Sequence, residues 1–513
     1  MARRLRFPQA AVATPHYLAT SAGLVALARG GNAFDAVLAA NLALGVVAPY
    51  LCGYGGDVFA IVWDGALHGY LGSGRSAAGA SLPDAQERHG DQLPAFGGEV
   101  VTVPGAVAGW FDLLDRFGTR PFAELAGAAI GLARDGFEIT PQAATVFAES
   151  RRFYRGFDEW HAVYGGVADG DVLRQPALAR TIEALASDGP EVYYRGPIAD
   201  AIGEAVQAAG GALTGDDLSA HGGEWATPLR APYRDAEVVE LPPPTQGVSA
   251  LEALRILDGF APPESGPARE HALLESTKQA LADRDRWVTD PDTMPVPAST
   301  LLTQDWVASR RRAIDPDRAG TPDPGEPQPG GTAYLCAADA NGMFVSLIQS
   351  NFIHFGSGVH VPAWGINLNN RGLSFSLDAE RPNVLAPAKR PMHTLIPAMV
   401  FRDGAPWAAF GSMGGDAQVP VHVEVLHQVL AEAADWADAI HAPRWRVDVG
   451  SWRVHAESRF DASMLDGLRA LGHDVVTTSP FDSGMGHAHA VWRTADGFGA
   501  TSDPRSEGAA LGM

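Results

Sequence analysis

The sequence predicts an α+β fold assembled from both ends of the chain. Three observations carry that expectation. Hairpin signals cluster near the start and in the last third, Ala- and Leu-rich helical segments fill the middle, and a Pro-, Gly- and Asp-rich run separates the two.

Taken in order, residues 17–29 predict a helix stopped by Gly30-Gly31, a favoured C-terminal signal. Residues 33–47 are apolar on nearly every face, which suits a helix buried in the core. Asp57 to Trp63, the turn Asp64-Gly65 and Ala66 to Leu71 form a hairpin pattern. Residues 105–235 read as mostly helical. The run 315–331 carries five prolines and almost nothing to bury, so an exposed, poorly ordered loop is expected. Three hairpins follow it. They are Ala333 to Ala338 with Phe344 to Ile348 around Asn341-Gly342, Ala398 to Phe401 with Trp407 to Phe410 around Asp403-Gly404, and Ala488 to Arg493 with Phe498 to Thr501 around Asp496-Gly497. Residues 420–440 predict helix. There is no tandem repeat.

Length and composition narrow the function classes. The chain has 513 residues with 38 basic and 60 acidic side chains, a formal charge of −22. Such a mean field repels nucleic acid and anionic membranes, so neither is expected as a partner. Cys52 and Cys336 are too few for a disulfide framework or a thiolate metal site. Arg3, Arg4 and Arg6 are followed by Pro8, Pro15 and His16, not by an apolar leader, and no stretch is apolar enough to span a bilayer. A cytoplasmic location is the expectation.

Thr332 stands directly after the Pro-rich run, at the start of a strand. A hydroxyl placed there can attack the preceding carbonyl, that of Gly331. Hydrolysis of the resulting ester frees a new N-terminus, whose α-amine (pKa ~7.7–8.0) can act as base for the same hydroxyl. By itself the Gly-Thr pair reads equally as an ordinary strand start.

Several segments together resemble the γ-glutamyltransferase family over nearly the whole chain. They are Gly30 to Ala36 with Leu42 to Pro49 and Gly53-Tyr54-Gly55-Gly56, Val103-Pro104-Gly105, Pro242 to Gly247, Gly331 to Asp339 with Ser346 to Ser350, Lys389-Arg390-Pro391, Gly414-Gly415, and Ser502 to Arg505. The resemblance implies a four-layer αββα N-terminal-nucleophile fold. It also implies cleavage between Gly331 and Thr332, giving a large subunit, 1–331, and a small subunit, 332–513, that pair as a heterodimer. Thr332 matches the nucleophile and Ser350 a hydroxyl that hydrogen-bonds it. Gly414 and Gly415 match the pair whose N–H groups hold the oxyanion. Arg75 matches an arginine that grips a substrate carboxylate; a structural salt bridge is the other reading.

The departures concern the substrate. Glutathione-cleaving members hold the glutamyl amine and carboxylate with Asn, Gln or Glu, Asp and a Ser-Ser pair. Counting from Thr332, those positions read Phe352, Arg371 and Ser374, and the pair becomes His393-Thr394. The acidic partner for an ammonium is missing and a cation is added, which favours an acyl group bearing a carboxylate but no α-amine. Arg371 either faces that group or turns into a structural ion pair. The segment between Ser374 and Lys389 is shorter than in members with a lid, which favours hydrolysis over transfer.

The expected function is therefore hydrolysis of a small carboxylate-bearing acyl amide, with no cofactor. True γ-glutamyl transfer, a natural-product hydrolase acting beside an oxalyl group, and an uncleaved binding protein are the competing readings. His487 and His489 have strand spacing that could serve a metal, but no partner ligand is evident, so no metal site is expected. Cys336 reads as core, Asp283 to Arg286 as a solvated helix face, and Trp436, Trp445 and Trp452 as packing.

Overall fold

The helix Ala33–Val47 is closed at its start by a capping box. The Asn32 side chain accepts from Asp35 N, and the Asp35 carboxylate accepts from Asn32 N, each at 2.9 Å. Such a cap stabilises a helix end by about 1 kcal/mol. The remaining positions are buried all round, so the helix packs inside the molecule beside Tyr17–Ala28. Both helices fall within a residue or two of their predicted bounds.

The computed structural model describes residues 5–260, 265–323, 328 and 330–513. Two seven-stranded sheets form its centre. The first runs in the order Ala509–Gly512, Ala10–Thr14, Gly331–Asp339, Phe344–Phe352, Asp57–Trp63, Leu67–Gly72 and Glu224–Ala226. The second runs Leu5–Phe7, Gly497–Ser502, Ala488–Thr494, Ala405–Ser412, Pro397–Arg402, Ala236–Glu240 and Leu229–Tyr233. The strand ladders within both sheets are antiparallel.

Strand alternation sorts the side chains into layers. Along Gly331–Asp339, Ala333, Leu335 and Ala337 pack toward the helices Tyr17–Ala28, Ala33–Val47 and Ala106–Phe117. Tyr334, Cys336 and Ala338 face the other sheet, meeting Met399, Ala409, Val491 and Ala500. The far face of the second sheet buries Val238, Val400, Phe410 and Ala490 against Gly247–Asp258, Pro267–Trp287 and Gln418–Ala431. The result is four layers, αββα, as the resemblance implies. Cys336 is a buried core residue, and Trp436, Trp445 and Trp452 are packing residues of the second helical layer.

The structure corrects three expectations. At the end of the stretch 105–235 read as mostly helical, Glu224–Ala226 and Leu229–Tyr233 are strands, and with Ala236–Glu240 they extend both sheets. Their hairpin turns at Arg234, which takes a positive φ of 55° without a glycine, so no turn signal marks it. The described part of the run 315–331 is exposed over Asp315 to Arg318, as expected, but its backbone is tethered. Ala319 N donates to Leu471 O at 2.7 Å, Gly320 N to Glu275 at 3.0 Å, and Pro322 O accepts from Trp452 Nε1 at 2.9 Å. Gln328 is buried; Pro324 to Pro327 and Pro329 lie outside the described residues. Finally, Asp283 and Arg284 are buried rather than solvated. Asp283 pairs with Arg310, and Arg284 turns toward the centre of the molecule. Among the described residues, no helix is long and apolar enough to cross a membrane.

Candidate active site

Thr332 lies on a central strand, fully buried, where the ladder with Phe344–Phe352 slips register between Gly331 and Ala333. A bulge of this kind re-aims a side chain. Here it sets the Thr332 hydroxyl 3.3 Å from Ser350 Oγ. Ser350 is a hub. Its hydroxyl donates to the Gly331 carbonyl oxygen at 2.5 Å and accepts from Phe352 N at 2.7 Å. Arg371 Nη2 approaches the same oxygen at 3.4 Å.

Phe352 holds a φ of +81°, an uncommon conformation for a bulky residue and one that clusters at functional sites. Its ring lies under the Arg371 guanidinium, 4.1 Å from centroid to Cζ. Arg371 opens a short turn, Arg371–Ser374, and is wholly buried. Its Nε and Nη1 have no hydrogen-bond partner among the described residues. Burial pushes the guanidinium down to about 10, opposed by the charge of Asp57.

Asp57, the strand partner of Ser350, was not foreseen as a site residue. Its Oδ1 accepts from Gly74 N at 3.1 Å and Gly105 N at 3.3 Å, while Oδ2 has no partner among the described residues. Burial pushes its carboxyl up to about 7, against the pull of Arg371 and of those two N–H groups. Of the readings left open for Arg371, no ion pair holds it among the described residues, and its side chain turns to the Ser350 hydroxyl.

Ser374 Oγ, Thr394 Oγ1 and both ring nitrogens of His393 are also buried without partners among the described residues. Burial, then the Arg371 and Arg390 charges, hold His393 well below its ordinary range, so it is neutral. Together with Arg371 Nε and Nη1 and Asp57 Oδ2, these Ser374, Thr394 and His393 atoms form a group of buried polar atoms with no hydrogen-bond partner among the described residues. Arg75 stands apart from it. Its fork is engaged by Asp290 at 3.1 Å, Asp292 at 3.4 Å and Ala388 O at 3.0 Å. It is half-exposed and lines a cavity of 610 Å³ with His221, Glu224 and Arg390.

Gly414 and Gly415 turn between the strand Ala405–Ser412 and the helix Gln418–Ala431 with φ of +138° and +60°, conformations that favour glycine. A methyl group on Gly330 would lie 3.0 Å from Gly415 Cα and 3.2 Å from its nitrogen. The turn therefore sits against the residues preceding Thr332 in the uncleaved chain. The carbonyl of Gly415 accepts from Gln246 Nε2 at 3.2 Å, and that of Thr394 from the same nitrogen at 2.9 Å. Gln246 in turn is held by Arg284 at 2.7 Å. The sequence pattern contained Gln246, in Pro242 to Gly247, without indicating this contact; Arg284 was hidden in a charge run that read as solvated.

The groups that could take a metal lie elsewhere. His487 bonds Ser483 Oγ at 2.8 Å, and His489 bonds Ser502 Oγ at 3.0 Å. Among the described residues, His271, Glu275 and His473 have metal-like spacing. The Lys278 ammonium occupies that cluster, 2.8 Å from Glu275 Oε1 and 3.3 Å from His473 Nδ1. Lys278 Nζ also donates to Gly320 O at 3.2 Å, and His271 Nε2 lies 2.8 Å from Asp315 O. The cluster thus ties down the start of the run that leads to Thr332.

Residues 19–513 match the family model described as gamma-glutamyltranspeptidase. The oxamate amidohydrolase proenzyme of Klebsiella pneumoniae is 37% identical, over 97% of each chain. The glutathione hydrolase-like YwrD proenzyme of Bacillus subtilis is 33% identical over 98% of each. Among solved structures, the cephalosporin acylase from Bacillus halodurans superimposes with a TM-score of 0.96 at 34% identity, covering 100% of this chain and 97% of that one. A fold of two facing sheets between helical layers, a family model spanning almost the full length and relatives that are hydrolases or acylases lead to one assignment: the chain belongs to the γ-glutamyltranspeptidase family, as an enzyme of the N-terminal-nucleophile class.

Proposed function

We propose that the chain is a self-cleaving amidohydrolase for amides of a small, carboxylate-bearing acyl group. Thr332 is its nucleophile, and cleavage at Gly331–Thr332 divides it into subunits 1–331 and 332–513. The carrying observation is the position of Ser350 between the Thr332 hydroxyl and the Gly331 carbonyl. As Thr332 Oγ attacks the Gly331 carbonyl carbon, its proton passes to Ser350 Oγ and the Ser350 proton passes to the carbonyl oxygen. As the intermediate collapses, that hydroxyl proton passes to the Thr332 nitrogen, the C–N bond breaks and Gly331 is left as an ester on the Thr332 hydroxyl, which water hydrolyses to the Gly331 acid and the free hydroxyl. The N–H groups of Gly414 and Gly415 hold the oxyanion formed when water attacks the Thr332 ester, in self-cleavage and in turnover alike, and the freed α-amine serves as base for each turnover.

For the acyl group, the unpaired Nε and Nη1 of Arg371 support a carboxylate ligand, since a buried fork of donors suits that shape. His393, Ser374 and Thr394 supply neutral polar groups around it, and Phe352 a wall. Arg75, engaged by Asp290 and Asp292, acts at the approach. Oxamate, named for one relative, is itself the amide of a carboxylate-bearing acyl group. One observation favours the competing reading of γ-glutamyl hydrolysis: the unpartnered Oδ2 of Asp57 could receive an ammonium.

The test is the intact mass of purified protein together with Thr332→Ala. Two fragments meeting at 331–332, absent in the variant, support the nucleophile; a cleaved and active variant overturns it. Hydrolysis of glutaryl-p-nitroanilide well above γ-glutamyl-p-nitroanilide supports the acyl class, and the reverse selects the γ-glutamyl reading. A chain that stays whole and ignores both amides would place it with binding proteins.

A further inference from the structure

Arg284 is the most deeply buried cation of the helix Pro267–Trp287, with no exposed surface. It spans three partners. Nε donates to Asp285 at 2.8 Å, and Nη1 donates to Gln246 Oε1 at 2.7 Å and also to Asp416 Oδ1. Gln246 is 0% exposed, and its amide nitrogen points the other way, to the carbonyls of Thr394 and Gly415. Its backbone continues the same clamp, since Gln246 N donates to His393 O at 2.9 Å and His393 N to Pro244 O at 2.7 Å. Asp416 follows the glycine pair directly. Its Oδ2 accepts from Gln328 N at 2.7 Å, and its N–H donates to Gln328 O at 3.1 Å.

We infer that Arg284 and Gln246 are positioning residues of the glycine turn, fixing the direction of the Gly414 and Gly415 N–H groups from across the proposed subunit boundary. The chemistry depends on one amide orientation. A side-chain amide has one donor end and one acceptor end. The Arg284 charge selects Oε1 for itself, which leaves both Nε2 protons for two carbonyl oxygens that would repel an acceptor. The Gly415 carbonyl shares its rigid peptide plane with the Asp416 N–H, which donates to Gln328 O at 3.1 Å, so pinning it fixes the backbone on the C-terminal side of Gly415 and restrains a turn that glycine backbones alone would leave free to rotate. Through Asp416 the same cation also holds Gln328, four residues before Thr332, against the turn while the chain is whole. The inference rests on the oxyanion role proposed for Gly414 and Gly415.

The experiment uses the full chain and its own cleavage at 331–332, followed by mass, so that no substrate need be known. Gln246→Met keeps the volume and removes the donors. Gln246→Glu places a carboxylate oxygen against the two carbonyls unless it is protonated. Gln246→Met is expected to slow cleavage roughly 10²-fold at every pH, the scale on which misplacing a catalytic group acts. Gln246→Glu should be as slow near neutrality and regain rate relative to Gln246→Met as pH falls, burial raising and the adjacent Arg284 charge lowering the pH at which its carboxylate takes up a proton. Arg284→Lys, which keeps the charge but cannot span both partners, should fall between wild type and Gln246→Met. A wild-type rate in either Gln246 variant overturns the inference, as does a Glu-to-Met rate ratio that is flat with pH. A wild-type chain that neither cleaves nor hydrolyses an acyl amide counts instead against the proposed function, and is seen before any variant is made.

Discussion

The Ser350 hydroxyl donates to the carbonyl oxygen of Gly331 at 2.5 Å while its own oxygen stands 3.3 Å from the Thr332 hydroxyl. One side chain therefore touches both the attacking group and the carbonyl that would be attacked. Ser350→Ala removes the relay and the polarising donor together. Cleavage should slow by roughly 10²–10³-fold, the loss seen when a comparable donor is deleted. Ser350→Thr, which keeps the hydroxyl, should retain most of the rate. Time courses of intact mass for the two variants measure this.

Arg371 is predicted to set affinity for the acyl carboxylate. Replacing it with Met keeps much of its stem against Phe352 but deletes the charged donors, each worth about 1.5–3 kcal/mol in a buried contact. That corresponds to roughly a 10- to 150-fold rise in KM for a glutaryl amide, with kcat changed much less. An equal fall in kcat with KM unchanged would instead assign Arg371 to the chemical step.

Asp57 makes stability depend on pH with a definite sign. Its carboxyl is pushed by burial from 3.8 to about 7 in the folded chain. Between those values the folded chain holds a proton that the unfolded chain has lost. The stabilisation is therefore complete below the unfolded pKa and is lost as pH rises through the folded one. Relative to Asp57→Asn, the wild-type melting temperature should decline as pH rises from about 4 to about 7 and run parallel above that. A constant difference across that window would mean that Asp57 is ionised throughout.

Lys278 is predicted to matter for stability although it lies outside the site. Its ammonium is the only cation hydrogen-bonded to the buried Glu275 carboxylate among the described contacts, and it also reaches Gly320 O. Lys278→Met strands that carboxylate, at a cost of about 3–5 kcal/mol by analogy with other broken buried pairs. The double change Lys278→Met with Glu275→Leu should recover much of the loss. Thermal melts of the single and double variants check both statements.

What could be read from the sequence alone was the part encoded in neighbouring residues. The helix from Ala33, the Asn341-Gly342 and Asp403-Gly404 hairpins and the placement of Thr332 behind a Pro-rich run are local patterns, set by backbone sterics and by helix and strand periodicity. Short linear motifs carried the family, and with it the four layers. The hairpin at Arg234 escaped because its turn uses no glycine, and its place in the sheet, like that of Glu224–Ala226, is completed by partners on distant segments, Pro397–Arg402 and Leu67–Gly72.

The site followed the same division. Thr332, Ser350 and the Gly414-Gly415 pair are recognisable because their motifs are contiguous. Three further facts arose only from folding: the bulge that turns Thr332 toward Ser350, the approach of Asp57 to Arg371, and the reach of Arg284 through Gln246 to Gly415. Each joins residues far apart in the chain, and each depends on burial, which strips water from a charge and leaves the protein alone to satisfy it. A run such as Asp283 to Arg286 looks the same in sequence whether it faces solvent or the core. Only the packing of its helix against the second sheet decided that Arg284 would face inward.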